Sequence, residues 1–349
     1  MPIIQANRLR KIGARLLEES GASKDEAATV ARHCVSANLT GHDSHGIIQI
    51  PTYIDRVDRG HIVPGAPIDI VQESATTTVI DGNWGFGYVV NEFAMNLTIE
   101  KAKKSNVAAA TVYRQSHVGR AASYPLMAVK EGMIAMMTAD SGRTPKSVAP
   151  FGGRAPRLGT NPIAIAMPSN LEGPMFIDMA TSAVAKGKVM LAAARGTTIP
   201  TGWVIDKDGN DTTNPTDIND GGVLLPLGGD IGYKGYGLAT MVEIFSGLLT
   251  GLGFGIEPTG RHNDGCFMAV FNVEAFRPLD QFKAEVTELA AYLKDTPTAA
   301  GIKEIYYPGE VEFISEKKRS VDGIDVEDKT WGKLSALAEK YGISSELEF

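Results

Sequence analysis

Residues 41–46, GHDSHG, set two imidazoles and a carboxylate, His42, Asp43 and His45, within one short stretch. A second concentration follows at residues 116–120, SHVGR, which holds His117 and Arg120. Histidine is the side chain whose unperturbed pKa lies nearest neutrality, so a modest change of surroundings makes it a donor or an acceptor of a proton at working pH. The two points read as parts of one active site.

The elements that must position them are legible from periodicity. Leu9, Ile12, Leu16 and Leu17 fall at helical spacing and Gly21 closes the pattern. Ser23 and Glu26 form a capping box, predicting a second helix to about Leu39 that delivers the chain into GHDSHG. A helical pattern bearing Tyr53 then runs to Gly60, starting near Ser44 or at Pro51 as its first helical residue, and HIVPGAP is a linker. From Ile68 the period changes. IDIVQES and TTTVIDG read as strands, and NEFAMNLTIEKAKKS as a helix with Phe93, Leu97 and Lys101 on successive turns. VAAATVYRQS is a strand that delivers His117, MIAMMTADS one that ends on Asp140 and Ser141, and NPIAIAMPS and MFIDMATS two more, the last ending on Asp178. Polar residues at strand ends, facing loops, are where α/β proteins place chemistry. Residues 187–229 read as turn-rich, with a hairpin at 207–210, and YKGYGLATMVEIFSGLLTG as a long buried helix. GCFMAVFNV is a strand, QFKAEVTELAAYLKD an exposed amphipathic helix and EIYYPGEVE a strand ending in a turn.

A chain of 349 residues exceeds the usual size of one core, so two lobes are expected. With 43% hydrophobic and 21% charged residues it is an ordinary globular composition, and 38 glycines imply many tight turns and close backbone approaches. The net charge is −7 and the basic residues are scattered; the run Lys101, Lys103, Lys104 reads as a solvated helix face, so no nucleic-acid partner is expected. Cys34 and Cys266 are far apart and form no ligand-like pair, which suits a reducing compartment. The N-terminal stretch lacks the apolar segment of a secretory signal, and no run approaches the ~18 apolar residues of a membrane span. A cytoplasmic location with no membrane partner is expected.

Several chemistries are disfavoured. No GxGxxG joins a strand to a helix; the nearest glycine cluster, GGDIGYKGYG at 228–237, could present backbone amides and Lys234 to a phosphate, or could simply be a tight helix entry. His42 and His45 lack the spacing and adjoining glutamate of a zinc protease helix, and no metal is expected. A hydrolase triad assembled from Ser44 or Ser141 with His117 and Asp178 lacks a GxSxG elbow.

Taken together and in order, DSHG, HVGR, PFGG, GTNP, DMATS with a following AKGKV, YKGYG and YPGE, spread from Gly41 to Glu310, resemble the malate/L-lactate dehydrogenase family that lacks a Rossmann fold. Within it the chain is similar to ureidoglycolate dehydrogenases and hydroxycarboxylate dehydrogenase B. The resemblance implies an NAD(P)-dependent oxidoreductase, using NAD or NADP, that interconverts a 2-hydroxy acid and a 2-oxo acid. Ureidoglycolate oxidation and cyclic imine acid reduction are the alternatives within the family, and a non-catalytic ligand-binding relative is the alternative of a different class. It further implies an α/β (α+β) non-Rossmann fold and a homodimer with the active site near the interface. A helical lobe of residues 1–70, joined by later helices at about 235–260 and 325–349, would pack on a mixed-sheet cofactor lobe of residues 71–320.

Carried onto this sequence, the resemblance makes His45 and His117 the pair that handles the substrate proton and Ser141 a substrate contact beside Ser44. It makes Asp178, Met179, Ala180, Lys234 and Gly235 cofactor contacts, and lets Pro308, Gly309 and Glu310 close over the nucleotide. Hydride addition to a ketone leaves an alkoxide, and a histidine is a suitable donor of the proton it needs. A carboxylate, Asp178 or Asp43, is expected to orient the imidazole and raise its pKa. Many relatives carry arginine four residues after the SHG histidine, where a guanidinium can clamp the substrate carboxylate. Here that residue is Gln49, and Arg120 is expected to take over the anchor.

Overall fold

A computed structural model describes residues 1–139 and 146–347; Asp140 and Ser141 lie outside the described residues. After a short strand β1 (Ile3–Ile4), helix α1 (Ala6–Glu19) buries Leu9, Ile12, Leu16 and Leu17, the stripe read from the sequence. Helix α2 (Lys24–Leu39) starts on the capping box, with Glu26 Oε2 accepting from the Ser23 amide at 2.9 Å. The chain then passes through two 3-10 turns, Asp43–His45 and Ile47–Gln49, into α3 (Ile50–Asp58). Pro51 sits in the first turn of α3, where a missing N–H is no loss, so of the two possible starts the proline one holds.

The remaining elements are β2 (Asp69–Glu73), β3 (Thr77–Gly85), α4 (Gly87–Ser105), β4 (Val107–Gln115), α5 (Pro125–Lys130), β5 (Met133–Ala139), β6 (Ile163–Met167), β7 (Met175–Met179), α6 (Lys186–Arg195), β8 (Val204–Ile205), β9 (Asp211–Thr212), β10 (Val223–Leu224), α7 (Tyr233–Glu243), β11 (Cys266–Asn272), α8 (Leu279–Lys294), α9 (Glu310–Asp322), β12 (Ile324–Asp325), α10 (Asp328–Lys340) and α11 (Ser344–Leu347). Seven strands form one mixed sheet in the order β2-β3-β4-β11-β5-β6-β7. Only β3 and β4 are parallel neighbours; every other pairing is antiparallel. It follows that β3, β4, β5 and β7 all run one way, and β6 and β11 the other. The ends of the first four and the starts of the last two therefore meet along one edge of the sheet. This mixed sheet with helices against it is an α/β fold without the parallel, doubly wound order of a Rossmann domain.

One buried cluster runs from Leu9, Ile12 and Leu16 through Tyr53 and Tyr88 to Val112, Met137 and Val270, so the N-terminal helices share a core with the sheet. A separate core of Val148, Val189, Val204 and Leu224 sits under the small three-stranded sheet β10-β8-β9. β1 pairs with β12, which brings α10 back toward α3.

Four expectations are corrected here. Helix α4 begins at Gly87, ahead of the predicted start, and buries Val90, Ala94, Thr98 and Ala102 while Phe93 is exposed. Small residues on that face let the helix lie close on the sheet. Helix α6 occupies part of the stretch expected to be turns, and it ends at Gly196 in the left-handed conformation. The apolar helix at 233–248 is α7 continued by a π-helical turn, Ile244–Leu248; α7 packs on β5 and the π turn on β5 and β11, with Ser246 bonded to Thr138 and Ala239 in the core of the small sheet, but its other face is exposed. No strand forms at EIYYP; the YPGE turn opens helix α9 instead.

Candidate active site

His117 follows β4 directly, in a loop pinned by the start of α4. A Cβ on Gly87 would lie 2.4 Å from the carbonyl oxygens of Ser116 and His117, so only glycine lets the helix press this close. Tyr53, on α3, places its hydroxyl 2.8 Å from His117 Nδ1 and 3.5 Å from the Tyr88 hydroxyl, and Tyr88 in turn donates to the His45 carbonyl at 3.3 Å. The rings of His45 and His117 stack with centroids 5.6 Å apart at 22°. Ser44 Oγ lies 3.0 Å from His45 Nδ1. The two histidines named from the sequence thus form one cluster, drawn from separate segments.

His42 and Asp43 are directed elsewhere. Asp43 accepts from Asn38 Nδ2 at 2.7 Å and is clasped by Arg319 of α9 at 2.8 and 3.1 Å, while His42 Nε2 lies 3.5 Å from Glu312. Asp43 therefore fixes the turn rather than an imidazole. Burial pulls the His45 pKa below its ordinary value, with the charge of Asp178 the strongest opposing influence. Burial pulls His117 down much further, and there the strongest opposing charge is Asp264. The Tyr53 phenol is raised well above its ordinary value by burial, so it stays a protonated donor.

Arg120 is buried, only 4% exposed. Its guanidinium lies over the Phe176 ring, 5.1 Å from the centroid, and Nε is 4.0 Å from Asp178 Oδ2. Among the described residues neither Nε nor Nη2 has a hydrogen-bond partner. A buried cation with unmade bonds is unfavourable until an acceptor arrives, and its forked donors match a carboxylate. Gln49 is committed by contrast: its Nε2 donates to the Ser44 carbonyl at 2.7 Å. Asp178 Oδ2 accepts from the Ala122 amide at 2.8 Å and bonds to neither histidine.

The segments expected to touch a cofactor border β7. Asp178 and Met179 close that strand and Ala180 follows; the next residue, Thr181, accepts from the Leu227 amide at 2.9 Å. Gly235 packs on the same Leu227, where a Cβ would come within 2.1 Å of the carbonyl oxygen, so Lys234 and Gly235 are seated beside this exit. Pro308 accepts from the Phe176 amide at 3.1 Å, placing the turn of Pro308 and Gly309 against the middle of β7. Glu310 follows as the first residue of α9: its carboxylate accepts from the Tyr307 amide at 3.0 Å and pairs with Lys294.

Two residues not singled out from the sequence complete the cluster. His262 meets His117 edge to face, with centroids 5.4 Å apart at 83°, and its Nε2 lies 2.8 Å from Asp264 Oδ1. Asp264 Oδ2 accepts from the Val118 amide at 3.1 Å. Both precede β11 and reach the site because β11 starts at the edge where β4 ends. A further buried polar group at that edge joins Asn161, just before β6, to Glu243 at 2.8 Å and Glu243 to Lys146 at 3.2 Å.

A strand-end cluster of histidines beside a buried arginine, on a mixed sheet without a dinucleotide fingerprint, describes an α/β oxidoreductase of non-Rossmann type. The sequence profile described as malate/L-lactate dehydrogenase matches residues 4–335, and the chain belongs to that family. It is 36% identical to a malate dehydrogenase of Pyrococcus abyssi, over 97% of this chain and 95% of the relative. It is likewise 36% identical to a malate/(S)-sulfolactate dehydrogenase of Methanothermus fervidus, over 98% of each. The crystal structure of malate dehydrogenase from Entamoeba histolytica superposes with a TM-score of 0.93 at 33% identity, covering 98% of both chains. The protein is accordingly a hydroxy acid dehydrogenase, an oxidoreductase acting on CH–OH donors. No helix among the described residues is long and apolar enough to cross a membrane.

Proposed function

We propose that this chain uses NAD or NADP to interconvert a 2-hydroxy acid and a 2-oxo acid, with His117 and His45 handling the proton and Arg120 holding the carboxylate. The observation that carries this reading is the buried Arg120 guanidinium, two of its nitrogens without hydrogen-bond partners among the described residues, beside the His45 and His117 pair. The nicotinamide nucleotide, when bound, supplies or takes up the hydride. Asp178, Met179, Ala180, Lys234, Gly235, Pro308 and Gly309 would hold it along β7, where the close packing of Gly235 and the exposed cation of Lys234 suit a phosphate-bearing ligand.

His117 then works through its Nε2, because Nδ1 is engaged by Tyr53. In neutral His117 with Nε2 open to accept, the ring is the Nδ1–H tautomer and donates to the Tyr53 oxygen, whose own hydroxyl is directed to Tyr88. The imidazolium keeps the same Nδ1–H bond. Tyr53 thus holds the ring in one orientation while Nε2 gains and loses the proton. His45, steadied by Ser44, lines the other side, and Ser44 and Ser141 are proposed substrate contacts. The protein is proposed to work as a cytoplasmic homodimer. Tyr233, Met241, Ile244, Phe245, Leu248 and Leu249 leave an exposed apolar face on α7 and its π turn, next to Lys234 and Gly235.

The test follows absorbance of reduced nicotinamide, with NADH and NADPH in parallel, against pyruvate, oxaloacetate, phenylpyruvate and 2-oxoglutarate. The expected outcome is oxidation with at least one acid that falls by about 10²-fold or more in His117→Asn and in His45→Ala. Nucleotide binding without turnover of any 2-oxo acid would overturn the reading.

A further inference from the structure

We infer that Asp264, with His262 against it, is the carboxylate that stabilises the imidazolium of His117, a positioning role that neither Asp43 nor Asp178 fills. It rests on the proton-handling role proposed above for His117.

The placement follows from strand direction. β11 lies between β4 and β5, antiparallel to both, with Cys266 opposite Val112 and Ala139, so the residues leading into it stand beside the loop that follows β4. Asp264 is two residues ahead of the strand and 2% exposed. The intervening Gly265 fixes the approach, since a Cβ there would fall 1.8 Å from the Ser246 carbonyl oxygen on the π turn. Asp264 Oδ2 accepts from the amide of Val118, the residue after His117, so the carboxylate is tied to the loop that carries the imidazole. Oδ1 faces His262 Nε2 at 2.8 Å, but off the line of a hydrogen bond, and neither atom has another partner among the described residues. A buried carboxylate oxygen with an unmade bond is unfavourable unless positive charge can form next to it.

The surroundings leave little choice of partner. His117 is faced by Tyr53 and Arg56 from α3, with Tyr88 of α4 behind the Tyr53 hydroxyl, by His45 from the turn and by His262 and Asp264 from the approach to β11. Tyr53 and Tyr88 are kept protonated by burial, and Arg56, His45 and His262 oppose a second positive charge. Asp264 is the one anion in that set. Asp43 is occupied by Arg319 and Asn38, Asp178 by Arg120 and the Ala122 amide, and Glu312 by His42.

The pH dependence of kcat/KM for 2-oxo acid reduction, at saturating reduced nucleotide, tests this in wild type, Asp264→Asn, His262→Gln and His117→Asn. Reduction requires protonated His117, so its rate falls as pH rises through the pKa of that group. Asp264→Asn removes the stabilising charge and is expected to move this limb to lower pH by about one unit or more, as expected for a unit charge a few ångströms away. The acid plateau and the nucleotide affinity, read by fluorescence titration, should change far less. His262→Gln removes the other claimant on the Asp264 charge and should move the limb to higher pH. A purely structural Asp264 would lower the whole profile without displacing it, and that result overturns the inference. Should Asp264→Asn fail to fold, an unmoved limb in His262→Gln overturns it instead. Turnover surviving in His117→Asn would remove the proposed function itself, so the two failures are distinguishable.

Discussion

A guanidinium buried with two of its nitrogens lacking hydrogen bonds among the described residues is an instruction about the ligand. If Arg120 holds the substrate carboxylate, Arg120→Ala should raise KM for the 2-oxo acid by roughly 10²-fold, about 3 kcal/mol for a charge-assisted pair, while Gln49→Ala changes it only slightly. Arg120→Lys should not rescue binding, because a single ammonium cannot supply the fork. Equal effects at positions 49 and 120 in a steady-state comparison would count against the assignment. Tyr53→Phe keeps the ring but removes the side-chain oxygen hydrogen-bonded to His117 Nδ1, so kcat should drop about tenfold with little loss of stability. His45, His117 and Arg120 were legible in the sequence because each sits in a short motif of unusual composition. His262 and Asp264 were not, although the strand after them was: whether a strand's start or its end faces the site depends on its direction in the sheet, and one sequence does not state that direction.

Periodicity identified the helices that bury a stripe and missed those that bury little. Helix α1 and the capping box of α2 were legible because four leucine and isoleucine side chains and a Ser–Glu pair fix them locally. Helix α9 escaped because none of its residues is fully buried, and the exposed face of α7 because an all-round apolar helix looks the same whether it packs on one side or two. The close seat of Gly235 on the Leu227 carbonyl gives an element-level prediction. Gly235→Ala should destabilise the protein by about 1–3 kcal/mol through displacement of the start of α7, and weaken nucleotide binding with it. Denaturant unfolding with a nucleotide titration checks both; an unchanged midpoint would mean the seat is soft.

Burying two histidines in one cluster also makes the fold sensitive to acid. His45 and His117 both hold their protons less tightly folded than unfolded, so below about pH 6.5 the unfolded state binds more protons and stability falls with pH. The loss is about 1.4 kcal/mol per pH unit for each histidine until its folded pKa is reached, and none is expected above neutrality. Denaturation midpoints measured from pH 8 to pH 5 should therefore be flat and then decline, less steeply in His117→Gln. The apolar face of α7 predicts that Leu248→Asp with Leu249→Asp yields monomers in analytical ultracentrifugation. Helix α9 carries a last consequence. It starts at the Gly309 turn and lies along the DSHG turn: Ser315 donates to the Leu39 carbonyl at 3.0 Å, Glu312 faces His42, and Arg319 clasps Asp43. A nucleotide that stills the Gly309 end would therefore stiffen the turn bearing His45 before any acid arrives. Binding should be sequential, nucleotide leading, with amide exchange at residues 42–46 slowed by nucleotide alone and released in Arg319→Ala.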